Sequence, residues 1–403
     1  MPYNNFFDKA LKNLKAEGRY RVFADLERHA HHAPIATWHS KNGSKQVVVW
    51  CSNDYLGMSH HPSVIEAATN AAIAYGAGSG GTRNISGTAH LHAELEKSVA
   101  NLHEKEAGLI FTSGYVANEA TLCTLAKGLP NCVVFCDERI HASMIQGISH
   151  SRATKHIFSH NNLDELRAQL AKYDKNLPKI IAFVSVYSME GDFAPIKAIC
   201  DLAEEYNALT YLDEVHAVGI YGKGGSGLAN ALEQSNRIDI IQANFAKAYG
   251  VIGGYITGTK SLVDYVRSFA SGFIFTTSLP PMVASAAIAA IKVLQQSDEL
   301  RQKLWHNVNL LKSLLSKTSV NYLNTPSHIV PVIIGNAKAC KDFTDALLEN
   351  FDIYVQPINY PTVPRGQERL RLTVTPFHND EMIQDMVYAL DYLWKESFLQ
   401  KTA

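Results

Sequence analysis

KIIAFVSVYSMEGDFAPIKAICDLAEEYNALTYLDEVHAVG, residues 179–219, decides the fold. KIIAFVSVYS and ALTYLDEV are short runs rich in β-branched and aromatic side chains, and PIKAICDLAEEYN between them has a helical pattern. The same alternation runs outward from about residue 47 to 290. QVVVWCS, AGLIFTS and NCVVFCD precede it, RIDIIQANF follows, and helical segments such as HLHAELEKSVANLH separate the runs. This pattern predicts an α/β layer with a mostly parallel, buried sheet. Beyond Pro280-Pro281 and a helix from Met282 to about Leu294, the runs HIVPVIIG, DIYVQPI and RLRLTVTP predict a smaller α+β domain. Three segments are expected: an N-terminal helical and extended stretch (1–46), a large domain (47–290) and a small C-terminal domain (291–403).

Composition narrows the function. Lys+Arg 37 against Asp+Glu 38 gives a formal net charge of -1, with no basic excess for a nucleic-acid partner. The longest apolar stretch, Met282 to Ile291, is too short to span a bilayer. The six cysteines (51, 123, 132, 136, 200, 340) form no CxxC pair, so neither structural zinc nor a disulfide framework is expected. MPYNNFFDKALKNLKAEGRYRVF lacks an apolar signal core and places Phe6, Ala10 and Leu14 on one helical face. A cytoplasmic protein with no metal is expected.

In open α/β sheets the ligand crevice lies beyond the strands' carboxyl ends, and the informative residues fall there. In LTYLDEVHAVG, Asp213 closes a buried run and His216 follows. Taken alone, Asp213 either caps the next turn or holds a pyridinium nitrogen protonated, as pyridoxal-phosphate chemistry requires. Lys247, in NFAKAYGVIGGYI, is set among apolar residues and glycines. It is either a lysine snorkelling from a strand end or a desolvated amine suited to imine formation and base work. GAGSGGTRNISGT (76–88) matches no phosphate-loop pattern and reads equally as a flexible loop. FTSGYVANEATL (111–122) reads as strand, glycine turn and helix, whose first N–H groups, on Gly114, Tyr115 and Val116, suit a phosphate. His141, in FCDERIHASMIQG, is placed to stack on an aromatic cofactor or to serve a structural role.

Taken in order, the glycine-rich loop, SGYVAN, HAS, SVYSMEGD, DEVHAVG and AKAYG resemble the α-oxoamine synthases, fold-type-I pyridoxal-phosphate enzymes, over nearly the whole chain. EGRYRVF, GGTRNISGT and YVQPINYPTVPRGQERLR narrow the resemblance to the branch that condenses glycine with succinyl-CoA, with loss of CO2.

The resemblance implies a mostly parallel seven-stranded large-domain sheet and a homodimer with shared active sites. It implies that Lys247 carries pyridoxal 5'-phosphate, Asp213 pairs with the pyridine nitrogen and His216 bonds the phenolic oxygen. His141 would stack on the ring, and Ser188 and Asn244 would contact the cofactor. Thr276 and Thr277 would reach the phosphate of the neighbouring subunit's cofactor. Arg371 would clamp the glycine carboxylate and Arg21 the succinyl carboxylate. Asn53, Cys136, Lys155 and Thr362 fall on substrate positions, and Thr82 would narrow the pocket to glycine.

Six positions depart from the family pattern: Asn244 for Thr, Ile140 for Asn, Cys136 for Ser, Gln146 for Glu, Val184 for Glu and Asn162 for Asp. Other readings are a synthase joining glycine to acetyl-CoA, a non-catalytic homologue and a fold-type-I aminotransferase.

Overall fold

The computed structural model describes residues 3–399. Two compact units emerge: residues 56–187 with 192–299, and residues 1–55 with 188–191 and 300–403.

The larger unit is built on seven strands: β1 (Ala107–Phe111), β2 (Val133–Asp137), β3 (Thr154–Phe158), β4 (Lys179–Val184), β5 (Leu209–Asp213), β6 (Ile240–Asn244) and β7 (Gly254–Gly258). Their order across the sheet is β1-β7-β6-β5-β4-β2-β3. Only β7 runs antiparallel, to both β1 and β6. Every residue of β2, β4, β6 and β7 is buried, the signature of a sheet covered on both faces.

Residues 179–219 form the expected βαβ unit. The helix Ile196–Tyr206 buries Ile196, Ile199, Cys200, Leu202 and Ala203 along one stripe and ends at Asn207 in the left-handed conformation, a residue type that tolerates it. β4 and β5 then pair in parallel, with Val184 opposite Asp213. Two of the seven strands, β3 and β7, carry no long apolar run. TKHIF is a mostly exposed edge strand, and GYITG is short and bounded by glycines.

QVVVWCS is a correction to the expected sheet. Gly43–Val49 lies in the other unit, in a four-stranded sheet with Asp25–Arg28, Ile35–Ser40 and Ile353–Tyr354. The last of these pairs in parallel with it, Ile353 opposite Val48. Residues 1–46 therefore share a unit with the C-terminal part of the chain rather than standing apart. A second sheet there has the order Ile329–Ile333, Arg369–Thr373, Pro357–Ile358. The N-terminal helix Tyr3–Ala16 forms as the sequence predicts but buries none of its residues.

Candidate active site

Asp213 ends β5, fixed by the ladder between Val184 and Gln242, and is 3% exposed. A carboxyl group buried at that depth needs hydrogen-bond partners. Asn118 Nδ2 donates to Oδ2 at 2.9 Å and the Val215 N–H to Oδ1 at 2.9 Å. Asn118 is held in turn: its Oδ1 accepts from the Tyr211 hydroxyl at 2.8 Å, and its Nδ2 also reaches Ser143 Oγ at 3.1 Å. His216 is buried just beyond.

Lys247 follows β6 in a tight turn. The Ala246 N–H donates to Asn244 Oδ1 at 3.2 Å, and the Gly250 N–H to the Lys247 carbonyl at 2.9 Å. Phe245, Ala248 and Tyr249 are buried around it, while Lys247 itself is half-buried. His141 caps the helix Ala142–Ser151, its Nδ1 accepting the Ser143 N–H at 3.2 Å. Burial holds His141 below the ordinary imidazole value; the Asp213 carboxylate opposes this and the Lys247 ammonium reinforces it. Hydrogen bonds also join His141 to Asp213: its Nδ1 lies 2.7 Å from Ser143 Oγ, which accepts from the same Asn118 Nδ2 that donates to Asp213.

The helix Gly114–Gly128 supplies the complement. Ser113 is its N-cap, Oγ accepting the Val116 N–H at 3.1 Å, while the Ala117 N–H goes to the Ser113 carbonyl at 3.0 Å. Of the N–H groups read from sequence, Val116's is thus taken, leaving those of Gly114 and Tyr115 to meet an anion. A Cβ on Gly114 would lie 2.9 Å from the Cβ and 3.0 Å from the Nδ2 of Asn244, so this helix start abuts the end of β6. The Tyr115 ring stands edge-on to His141 at 6.4 Å. A buried carboxylate, an amine in an apolar turn, an imidazole and an anion-binding helix end fit the ring nitrogen, aldehyde, ring face and phosphate of pyridoxal phosphate.

The glycine-rich loop is ordered against the segment that carries the two threonines. Thr82 bridges Thr277, and the Ser278 N–H donates to the Gly81 carbonyl at 3.0 Å. Thr276 Oγ1 donates to the Gly272 carbonyl at 2.6 Å, and Thr277 is exposed. Arg83, His92, Thr112, Phe273, Thr276 and Thr277 line a small pocket beside them. Cys136 is buried in β2; burial first, then Asp137, pushes its thiol up to about 12, with Lys155 opposing. Lys155 is exposed on β3 and donates to Ser149 Oγ at 3.4 Å.

In the other unit, Arg371 on Arg369–Thr373 donates through Nη2 to Asn53 Oδ1 at 2.5 Å, and the Tyr55 hydroxyl reaches the same oxygen at 3.4 Å. Thr362 and Arg21 are exposed, and the Thr362 N–H donates to the Asn359 carbonyl at 3.0 Å. Ser188 is half-buried and belongs to this unit, not to the one holding Lys247.

Asn162 has a local explanation among the departures. Its Oδ1 caps the helix Leu163–Leu170 by accepting the Glu165 N–H at 3.0 Å, a task Asn and Asp perform about equally. Gln146 Nε2 lies 2.6 Å from His150 Nε2, and His150 Nδ1 lies 2.8 Å from Glu119 Oε1. Ile140 and Val184 are buried apolar residues. Asn118, Ser143 and Tyr211 were not read from sequence. Only the spacing of Asn118, one helical turn after Gly114, hints at its role.

The aminotransferase class I and II family model matches residues 45–390. A 5-aminolevulinate synthase of Rhizobium meliloti is 54% identical over 401 residues, covering 100% of this chain and 99% of that protein. The chain belongs to the 5-aminolevulinate synthase family. Another relative in the family, 5-aminolevulinate synthase 1 of Cereibacter sphaeroides, is 51% identical over 402 residues, 100% of this chain and 99% of its own. A structure of serine palmitoyltransferase from S. paucimobilis with a bound PLP–myriocin aldimine superposes with a TM-score of 0.90 at 27% identity, over 98% of each chain. An 8-amino-7-oxononanoate synthase of Francisella tularensis superposes with a TM-score of 0.74 at 26% identity, over 87% of this chain and 99% of the other. Among the described residues, no helix is long and apolar enough to cross a membrane.

Proposed function

We propose that the chain carries out its family's reaction in the cytoplasm as a pyridoxal-phosphate homodimer, condensing glycine with succinyl-CoA to 5-aminolevulinate, CoA and CO2. What carries the reading is the meeting of Asp213, Lys247 and His141 in one site of a chain 54% identical, end to end, to a named synthase.

Bound pyridoxal phosphate supplies an electron sink for an amino acid's Cα–H bond. Asp213, oriented by hydrogen bonds from Asn118 and the Val215 N–H, pairs with the ring nitrogen and holds its proton there. His216 bonds the phenolic oxygen, and His141 presents its ring face. Gly114 and Tyr115 offer their N–H groups to the phosphate, joined by Asn244 and, across the dimer, by Thr276 and Thr277. Ser188 adds a further cofactor contact. Lys247 would hold the cofactor through its Nζ, and the same amine, when free, would take the proton from glycine Cα.

Arg371 and Asn53 hold the glycine carboxylate, a planar task suited to a guanidinium. Thr82, pinned by its bridge to Thr277, narrows the glycine pocket. Arg21 meets the succinyl carboxylate, and Thr362, Cys136 and Lys155 fall on substrate positions. Large exposed apolar side chains, Phe23 at 88%, Ile85 at 82% and Phe275 at 79%, support a partner subunit that covers them.

The test is CoA release with glycine and a panel of acyl-CoAs, together with borohydride reduction and peptide mapping. Succinyl-CoA should be preferred and the label should fall on Lys247. Equal rates with acetyl-CoA, or a label elsewhere, overturn the reading.

A further inference from the structure

The chain beyond β4 folds back as a hairpin. Val186 pairs with Phe193 across an antiparallel bridge, and the Tyr187 N–H donates to the Asp192 carbonyl at 3.1 Å. Its tip, 188–191, carries Ser188; its base, Tyr187 and Asp192, belongs to the seven-stranded unit. The base sets where the chain enters that tip, and Arg369 Nη1, donating to the Met189 carbonyl at 2.8 Å, holds the tip beyond it.

His160, in the loop after β3, grips the base. Its Nδ1 lies 3.0 Å and 3.2 Å from the two carboxylate oxygens of Asp137, and its Nε2 lies 2.9 Å from Asp192 Oδ2. The ring stands at 87° to that of Tyr187, centroids 4.4 Å apart. Asn161 adds a second strap, its Nδ2 donating to the Phe193 carbonyl at 3.1 Å. Both imidazole nitrogens face carboxylates, an arrangement only the doubly protonated ring can satisfy with two donors. Asp137 ends β2 at 1% exposure and accepts the N–H groups of Arg139 and Asn161, both at 2.8 Å. The chain of contacts therefore starts at a fixed point of the sheet and ends on the hairpin.

We propose that His160, bridging Asp137 and Asp192 as an imidazolium, is a positioning residue that sets the Val186–Phe193 hairpin and, through Ser188, the affinity for the cofactor. The inference rests on the reading of Ser188 as a cofactor contact.

A double-mutant cycle tests it, using the full chain stripped of cofactor and titrated with pyridoxal phosphate by equilibrium dialysis. His160→Leu and Ser188→Ala should each weaken binding about three- to tenfold. The double variant should bind no more weakly than the weaker single one. Should His160→Leu fail to fold, Asp192→Asn takes its place in the same cycle. Multiplying effects, or a His160→Leu protein with parental affinity, overturn the positioning role alone. A Ser188→Ala protein with parental affinity overturns it together with the reading of Ser188.

Discussion

Gly114 and Asn244 meet where two strand ends converge: a Cβ on Gly114 would stand 2.9 Å from that of Asn244, nearer than real Cβ contacts come. Gly254, opening β7, sits opposite both Phe111 and Asn244, so ladder pairing holds the helix start and the lysine turn at one depth. The N–H groups proposed for the phosphate and Lys247 are thereby set by sheet register.

Gly114→Ala should accordingly cost about 1–3 kcal/mol of stability, because the added methyl must push the helix start off Asn244. Pyridoxal phosphate affinity should fall with it. Urea denaturation and cofactor titration check the two effects, and a variant with parental values in both would refute the argued contact.

Asn118 should behave as part of the Asp213 site, acting through that carboxylate. Asn118→Leu removes the donor to Asp213 Oδ2 and the acceptor for the Tyr211 hydroxyl, leaving two buried groups unmet. A loss of about 1–3 kcal/mol in stability is expected. Turnover should fall with little change in the KM for glycine, since the carboxylate proposed to serve the ring nitrogen loses its anchor. Steady-state kinetics separates these outcomes.

Asp213 and Lys247 were legible because each is a charged residue directly behind an apolar run, where burial makes a charge conspicuous. Asn118 was not: an amide one turn into a helix leaves no mark on periodicity, and its role arises only when β5 brings Asp213 alongside. The seven-stranded sheet was expected, but QVVVWCS was given to it wrongly. An apolar run says that a strand is buried, not which sheet buries it, and Val48 pairs with Ile353, far along the chain. β3 escaped notice because TKHIF is an edge strand with mostly exposed side chains. His160 showed nothing, since its two carboxylates come from a strand end and a hairpin that are far apart in the chain.

The His160 bridge predicts a pH window for stability. Burial opposes its charge, but the hydrogen bonds and charges of Asp137 and Asp192 prevail and raise it to about 9. Its contribution is therefore complete below the ordinary imidazole value of about 6.5 and is lost as pH climbs through about 9. Burial also opposes the charge of Asp137, yet His160 and two backbone N–H groups hold its carboxyl below the usual 3.8, so its contribution is lost only in acid. His160→Leu should thus be destabilised by about 2–3 kcal/mol at pH 6.5 and by distinctly less at pH 10. Urea denaturation of parent and variant at both values provides the comparison, and a difference independent of pH would exclude the charged bridge.

Arg371 sits where a point charge should not replace it. Its guanidinium spends Nη2 on Asn53 Oδ1, which keeps the fork's plane fixed and its remaining donors in one orientation. Behind it, His328 is fully buried 4.5 Å from the Tyr55 ring, and burial, reinforced by Arg371 and Lys312, pushes it down to about 3. His328 therefore stays neutral between pH 6 and 8, so the guanidinium's field does not change with pH through that neighbour. Arg371→Lys keeps the charge but loses the fork, and should raise the KM for glycine about 10–100-fold, with a smaller effect on kcat. Asn53→Ala, which frees the guanidinium without removing it, should raise the same KM by less. Glycine saturation curves at pH 6, 7 and 8 test all three points: a parental KM in the lysine variant would show that planar recognition is not what this arginine supplies, and a parental KM that shifts across that range would return His328 to the titrating groups.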